Sequence, residues 1–208
     1  MKKILIGSTI ALLLAVTVNP LGAEASSRIH YVASGDTLWK IAQRYQVGLS
    51  EIIQSNKHLE NPDWIYPGMQ VQIPDVESGR AFEKEVVRLV NVERAKAGLQ
   101  PLKENWELSR VARYKSKDMM ERKYFSHTSP TYGSPFEMMK NFGISYAYAG
   151  ENIAMGQRTP EEVMKGWMNS PGHRKNILSP NFIQIGVGYA VNGNGTKYWT
   201  QMFIKPRQ

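Results

Sequence analysis

No cysteine occurs among the 208 residues. Its absence excludes a small disulfide-stapled scaffold, a cysteine nucleophile and a lipid-modified cysteine behind a leader. There is also no Gly-x-Ser-x-Gly elbow and no His-Glu-x-x-His pair, so two common hydrolase patterns are missing. Ser126 adjoins His127, but sequence neighbours seldom form a nucleophile–base pair. Long apolar runs are scarce as well. The one that stands out, residues 4–18, is shorter than the ~20 residues of a spanning helix. Lys2 and Lys3 precede it and Ala23-Glu24-Ala25 follows, the three-part form of an export signal cleaved near Ala25. The mature chain is expected outside the cytoplasm, without a transmembrane segment. Lacking disulfides, it must stand on a hydrophobic core of its own.

Charge is present in excess of one sign, with a formal net charge of +8. Residues 28–74 carry four basic and four acidic side chains, whereas residues 80–208 carry 20 basic against 11 acidic. A basic exported domain suits anionic partners such as wall polymers or lipid head groups, and simple solubility accounts for the charge equally well. The Lys and Arg residues are scattered and no nucleic-acid motif accompanies them, so nucleic acid is not an expected partner.

Two units are legible. In residues 28–74 the pattern reads strand, helix, helix, strand. Ile29-His30-Tyr31-Val32 is strand-like, Ser34-Gly35 turns, and Asp36 is placed to cap a helix carrying Leu38, Trp39, Ile41, Ala42 and Tyr45 on one apolar face. That spacing puts Trp39 in the core. A second helix from Ser50 ends near Asn56, and Tyr66-Pro67-Gly68 turns into a last strand over residues 69–73. Gly35-Asp36-Thr37-Leu38-Trp39-Lys40-Ile41-Ala42, Asn61-Pro62-Asp63 and Pro67-Gly68 make the unit resemble a LysM module along its whole length. The resemblance implies binding of N-acetylglucosamine-containing glycans, chiefly peptidoglycan or chitin. The groove would lie between Gly35, Asp36, Thr37 and Leu38 on one side and Ile65 on the other. Trp39 and Trp64 could stack on a sugar, although helical spacing places Trp39 in the core. LysM units of this pattern also resemble those of spore-coat and cortex proteins, which suggests the spore envelope as a location beside the vegetative wall.

Residues 75–79 read as an acidic linker. In residues 80–208 the spacing predicts helices over 81–97, 106–124, 134–142 and 159–169. Strands follow over 182–191 and 197–205, joined by Asn192-Gly193-Asn194-Gly195, a strong hairpin signal. The fold class expected is α+β, helices packed on an antiparallel sheet. The stretch from Ala149 to Leu178 stands out. Glu151 follows a glycine, and Thr159, Pro160 and Glu162 give a helix start with a capping box. Ser170-Pro171-Gly172 breaks that helix and presents His173. Glu151 and His173 are thus read as delivered from two loops.

Phe125-Ser126-His127, Gly150-Glu151-Asn152, Trp167 through Arg174, Gly186-Val187-Gly188-Tyr189 and Trp199-Thr200-Gln201 make this domain resemble the CAP family (SCP, antigen 5 and PR-1 proteins). The family fold is an α-β-α sandwich. Its eukaryotic members line a central cleft with two His and two Glu that can hold a divalent metal. His127, Glu151 and His173 match three of the four, and Ser170 stands where the remaining acid is expected. The resemblance implies a cleft of His127, Glu151 and His173 that binds Zn²⁺ or another divalent cation weakly. Alternatively Glu151 is a base and the two imidazoles are the only ligands, or all three residues are hydrogen-bonding scaffold. Tyr124, Tyr148, Ser170 and Gln201 would line the pocket, and Met119, Met120, Met138 and Met139 would fill the core. A wall-bound binding protein that engages an envelope partner or a lipid is expected, with a peptidoglycan hydrolase as the alternative. In that event His127, Glu151 and His173 would be the catalytic residues.

Overall fold

A computed structural model of the chain describes residues 28–75 and 77–207. The export signal and its cleavage site lie outside the described residues. Among the described residues no helix is long and apolar enough to cross a membrane.

The N-terminal unit is a β-α-α-β module. Strand β1 (Arg28–Tyr31) pairs antiparallel with β2 (Gln70–Ile73), Arg28 opposite Ile73. Helices α1 (Leu38–Tyr45) and α2 (Leu49–Ser55) cover the pair. Val32, Leu38, Ile41, Ala42, Val47, Ile52, Val71 and Ile73 form the core between them. Asn56 closes the module from inside: its Nδ2 donates to Ile52 O and Gln72 O, and its Oδ1 accepts from Gln72 N. A buried amide satisfied on both ends ties the end of α2 to β2. Two expectations need correction. The N-cap of α1 is Thr37, whose hydroxyl accepts from Lys40 N at 3.1 Å, and not Asp36. Trp39 is 59% exposed. It follows Leu38 by one position, about 100° around the helix, and Leu38, Ile41 and Ala42 already fill the inward face.

The C-terminal domain begins with α3 (Glu77–Lys96), four residues earlier than the periodicity predicts, so only residues 74–76 separate it from β2. Then come β3 (Lys103–Glu104), α4 (Trp106–Glu121), α5 (Pro135–Asn141), β4 (Tyr148–Met155), α6 (Pro160–Asn169), α7 (Pro171–Ile177), β5 (Gln184–Val191) and β6 (Lys197–Lys205). The sheet order is β3-β5-β6-β4, with β3 parallel to β5 and the other pairs antiparallel. Helices α3, α6 and α7 cover one face through Val86, Val90, Val163, Trp167 and Ile177, against Ile185, Val187, Trp199 and Phe203. On the other face α4 and α5 pack Leu108, Val111, Met138 and Met139 against Met202 and Ile204. The alternation along β6 follows from the two-residue period of a strand.

Helix α4 sits unusually close to the sheet. A Cβ at Gly186 would stand 2.3 Å from the Leu108 carbonyl carbon, and one at Gly188 2.1 Å from that of Ala112. Two bare positions on one strand face let a helix backbone lie directly on it. Start signals differ slightly from expectation. At α6, Thr159 accepts from Glu162 N, but Glu162 turns to Arg158 N rather than closing a reciprocal box. The reciprocal box occurs at α5, between Ser134 and Glu137.

Candidate functional site

Two places concentrate exposed chemistry. The first is a groove of about 170 Å³ in the N-terminal module. The start of α1 supplies Asp36, Thr37, Leu38 and Trp39, and α2 supplies Leu49 and Ile53. The loop before β2 closes it with Pro62, Asp63 and Ile65. Asp36, Thr37, Leu38 and Ile65 therefore meet as expected, while Gly35 is not among the lining residues. Its carbonyl instead accepts from Lys40 Nζ at 2.7 Å, in a turn that needs its φ of 82°. The Asp36 carboxylate is already engaged. Oδ2 accepts from Ala33 N at 2.9 Å and His30 Nε2 at 2.8 Å, and Oδ1 from Arg44 at 3.1 Å. The Ala33 amide first, then His30 and Arg44, hold its pKa down to about 2. Asp36 shapes the groove rim rather than offering a free carboxylate. Leu49 and Ile53 were not predicted as lining, and Trp39, weighed as a sugar-stacking residue but placed in the core, lines the groove. The i,i+4 spacing of Leu49 and Ile53, on the face opposite Glu51, is the signal that marks them.

The second place is at the sheet edge. Glu151 sits on β4, an edge strand, and not on a loop as its glycine-led sequence suggests. Alternation points Glu151 and Ile153 toward the α4 side, where Ile153 meets Met119 and Tyr198. Asn152 points the opposite way. It donates to Gln201 Oε1 at 3.0 Å and His173 O at 3.1 Å, and Asn176 donates to Asn152 Oδ1 and Glu151 O. These amides pin the first turn of α7, which carries His173, against the edge strand.

On the α4 side, Glu151 Oε1 meets His127 Nδ1 at 2.7 Å. Its other oxygen, Oε2, is buried and has no hydrogen-bond partner among the described residues. Lys115, fully buried on α4, donates from Nζ to His127 O at 2.8 Å and to Tyr124 Oη at 3.3 Å. Asp118, one turn further along, takes Tyr124 Oη at 2.6 Å and Ser129 Oγ at 2.6 Å. The residues flanking His127 are thereby moored to α4. Lys115 and Asp118 were missed because charged residues on a surface helix ordinarily face water.

Burial pushes the Glu151 carboxyl above its ordinary range, opposed by the His127 hydrogen bond and the Lys115 charge. Burial lowers Lys115, opposed by Glu151 and Asp118. Burial also lowers His173, and the neighbouring His127 adds to the effect. An ionised Glu151 fixes the proton of His127 on Nδ1, which leaves Nε2 as a lone-pair acceptor on a ring whose side chain is 54% exposed. Such an imidazole can accept a proton or a hydrogen bond from a ligand. Ser170, at the junction of α6 and α7, makes no side-chain cap bond. Among the described residues no three His, Asp or Glu side chains are grouped so as to hold a metal ion. Glu151 Oε1 is taken by His127, so as placed Glu151 orients the imidazole rather than standing as a third ligand, while His127 Nε2 stays open.

A model of the cysteine-rich secretory protein family, CAP, matches residues 87–203, and a LysM domain model matches residues 30–74. Uncharacterized protein YkwD of Bacillus subtilis is 64% identical over 124 residues, 60% of this chain and 47% of YkwD. SpoIVD-associated factor A of B. subtilis is 49% identical over 47 residues, 23% of this chain and 12% of that protein. The match takes in less than half the length of either relative. The crystal structure of an extracellular SCP-domain protein from Bacillus anthracis aligns with a TM-score of 0.57 and 32% identity. That alignment covers 67% of this chain and 47% of the other.

Proposed function

The chain belongs to the CAP family and carries a LysM module ahead of that domain, and on this basis we propose that it is an exported envelope protein anchored to peptidoglycan. The LysM groove holds N-acetylglucosamine-containing glycan, and the CAP domain presents the His127–Glu151 cleft to an envelope protein or lipid ligand. One observation carries the anchoring. Exposed Trp39 adjoins a groove whose walls are Leu38, Leu49, Ile53 and Ile65, an apolar slot with an aromatic shoulder suited to an N-acetyl methyl and a sugar face. A likeness over 47 residues, 49% identical, to Spore coat assembly protein ExsA of Bacillus cereus supports a place in the spore envelope.

A second reading, a wall hydrolase, is favoured by the 2.7 Å contact of His127 with a buried carboxylate, the arrangement of a general base. Incubating the mature protein with purified sacculi separates the two. Pelleting without release of soluble muropeptides supports the binder. Release abolished by His127→Ala supports the hydrolase. Trp39→Ala should reduce pelleting without altering the melting temperature, and undiminished pelleting would remove the groove from the reading.

A further inference from the structure

Helix α2 has seven residues and three duties. Ile52 is buried in the LysM core, Leu49 and Ile53 line the glycan groove, and Ser50 and Glu51 face the CAP domain. There Arg110 of α4 grips the helix. Its Nε donates to Glu51 Oε1 at 2.6 Å, and its Nη2 donates to Glu51 Oε2 and Ser50 Oγ, each at 2.9 Å. Both partners of this forked pair have side chains only 22% exposed. The guanidinium is held in turn over the rings of Tyr114 and Phe142, each centroid 5.4 Å away. A Cβ on Gly48, the residue before α2, would lie 2.2 Å from Arg110 Nε. The helix start is shaped to receive the arginine.

Two features make this contact consequential. A two-turn helix is marginal by itself, and the cap position of α2, Gly48, provides no side-chain hydrogen bond. Its first turn therefore depends on what holds it from outside. Between the modules lies a cavity of about 380 Å³, where Val47, Tyr114 and Tyr189 alternate with the charged Glu83, Arg113 and Lys117. Polar contacts bridge the modules: Arg110 of α4 to Glu51 of α2, and Arg80 of α3, whose guanidinium donates to Gln46 O at 2.9 Å, at the negative C-terminal end of α1.

We propose that the CAP domain buttresses the glycan groove through helix α2, so that module docking and glycan binding are linked. The Arg110–Glu51 grip holds the first turn of α2, and with it Leu49, in the arrangement that walls the groove. Linkage is reciprocal: glycan in the groove tightens the grip of Arg110 on α2. The proposal rests on the reading of the groove as a glycan site.

The test uses the full mature chain with chitotetraose as probe, by calorimetric titration. Arg110→Ala and Glu51→Gln should each weaken binding about fivefold, a coupling of ordinary size. The exchanged pair, Glu51→Arg with Arg110→Glu, should recover most of the loss. Glu51→Gln preserves shape and leaves the CAP domain untouched, so its result does not depend on how well the arginine variants fold. Hydrogen exchange at the amides of residues 52–55 should quicken in both single variants without any glycan present. Binding and exchange unchanged in the single variants would overturn the linkage and leave the glycan reading intact. No binding of chitotetraose by the wild-type chain would overturn the glycan reading and the linkage with it.

Discussion

His127 Nδ1 and Glu151 Oε1 lie 2.7 Å apart, which joins a ring more than half exposed to a carboxylate with 1% of its side chain exposed. The acid is out of reach of solvent and the base is not. A solvent-borne group can reach the imidazole but not the carboxylate, and the Lys115 charge opposes the effect of burial on Glu151.

Lys115→Met tests that arrangement. Removing the ammonium leaves Glu151 buried without its cationic neighbour and His127 O without its donor. A loss of roughly 2 kcal/mol is expected, the usual scale for leaving a buried acceptor without its donor. The Glu151 carboxyl should titrate at still higher pH, followed by its carboxyl carbon resonance. A titration that does not move would show that Lys115 has no electrostatic hold on the site.

Asp36 should give the LysM module an acid-sensitive term. Its folded pKa, about 2, lies below the ordinary 3.8. A depressed carboxyl pKa contributes stability that is present above 3.8 and lost as pH falls through about 2. Asp36→Asn should therefore melt lower than wild type at neutral pH, with the difference shrinking as the pH drops below 4. A difference independent of pH would mean that the carboxylate charge contributes nothing.

Gly188→Ala should be among the most damaging small substitutions in the chain. The new methyl meets helix backbone, which cannot rotate away, so α4 must lift from the sheet at a cost of ~3 kcal/mol. Gly172→Ala, in α7 with nothing within 4 Å of its Cβ, should be neutral or slightly stabilising. Equal denaturation midpoints for the two variants would contradict the close packing of α4.

Zinc titration addresses the metal. Wild type is expected to release no saturable heat with Zn²⁺ at neutral pH, since no three-ligand group is assembled among the described residues. Saturable binding that disappears in both His127→Ala and His173→Ala would reverse this. Such binding should then weaken on acidification, because a ligating imidazole must be neutral.

Sequence alone determined the features that are local in origin. Thr159 before Pro160 starts α6, Asn192 to Gly195 turns β5 into β6, and the LysM and CAP words mark two modules in order. Capping, turn geometry and motif spacing are written within a few residues of each other, so they survive without knowledge of the rest of the chain. The tertiary structure decided what depends on distant partners. Tyr148–Met155 reads as a polar, glycine-containing loop, yet it is a strand because β6 hydrogen-bonds it along its whole length. Lys115 resembles any solvated lysine of a charged helix, and it is buried because the His127 loop folds over it and its carbonyl accepts the ammonium. Trp39 shares a helix with core residues and faces solvent because Leu38 and Ile41 already occupy the space between α1 and the sheet. Burial of a single side chain is set by which elements pack against it, and those lie tens of residues away.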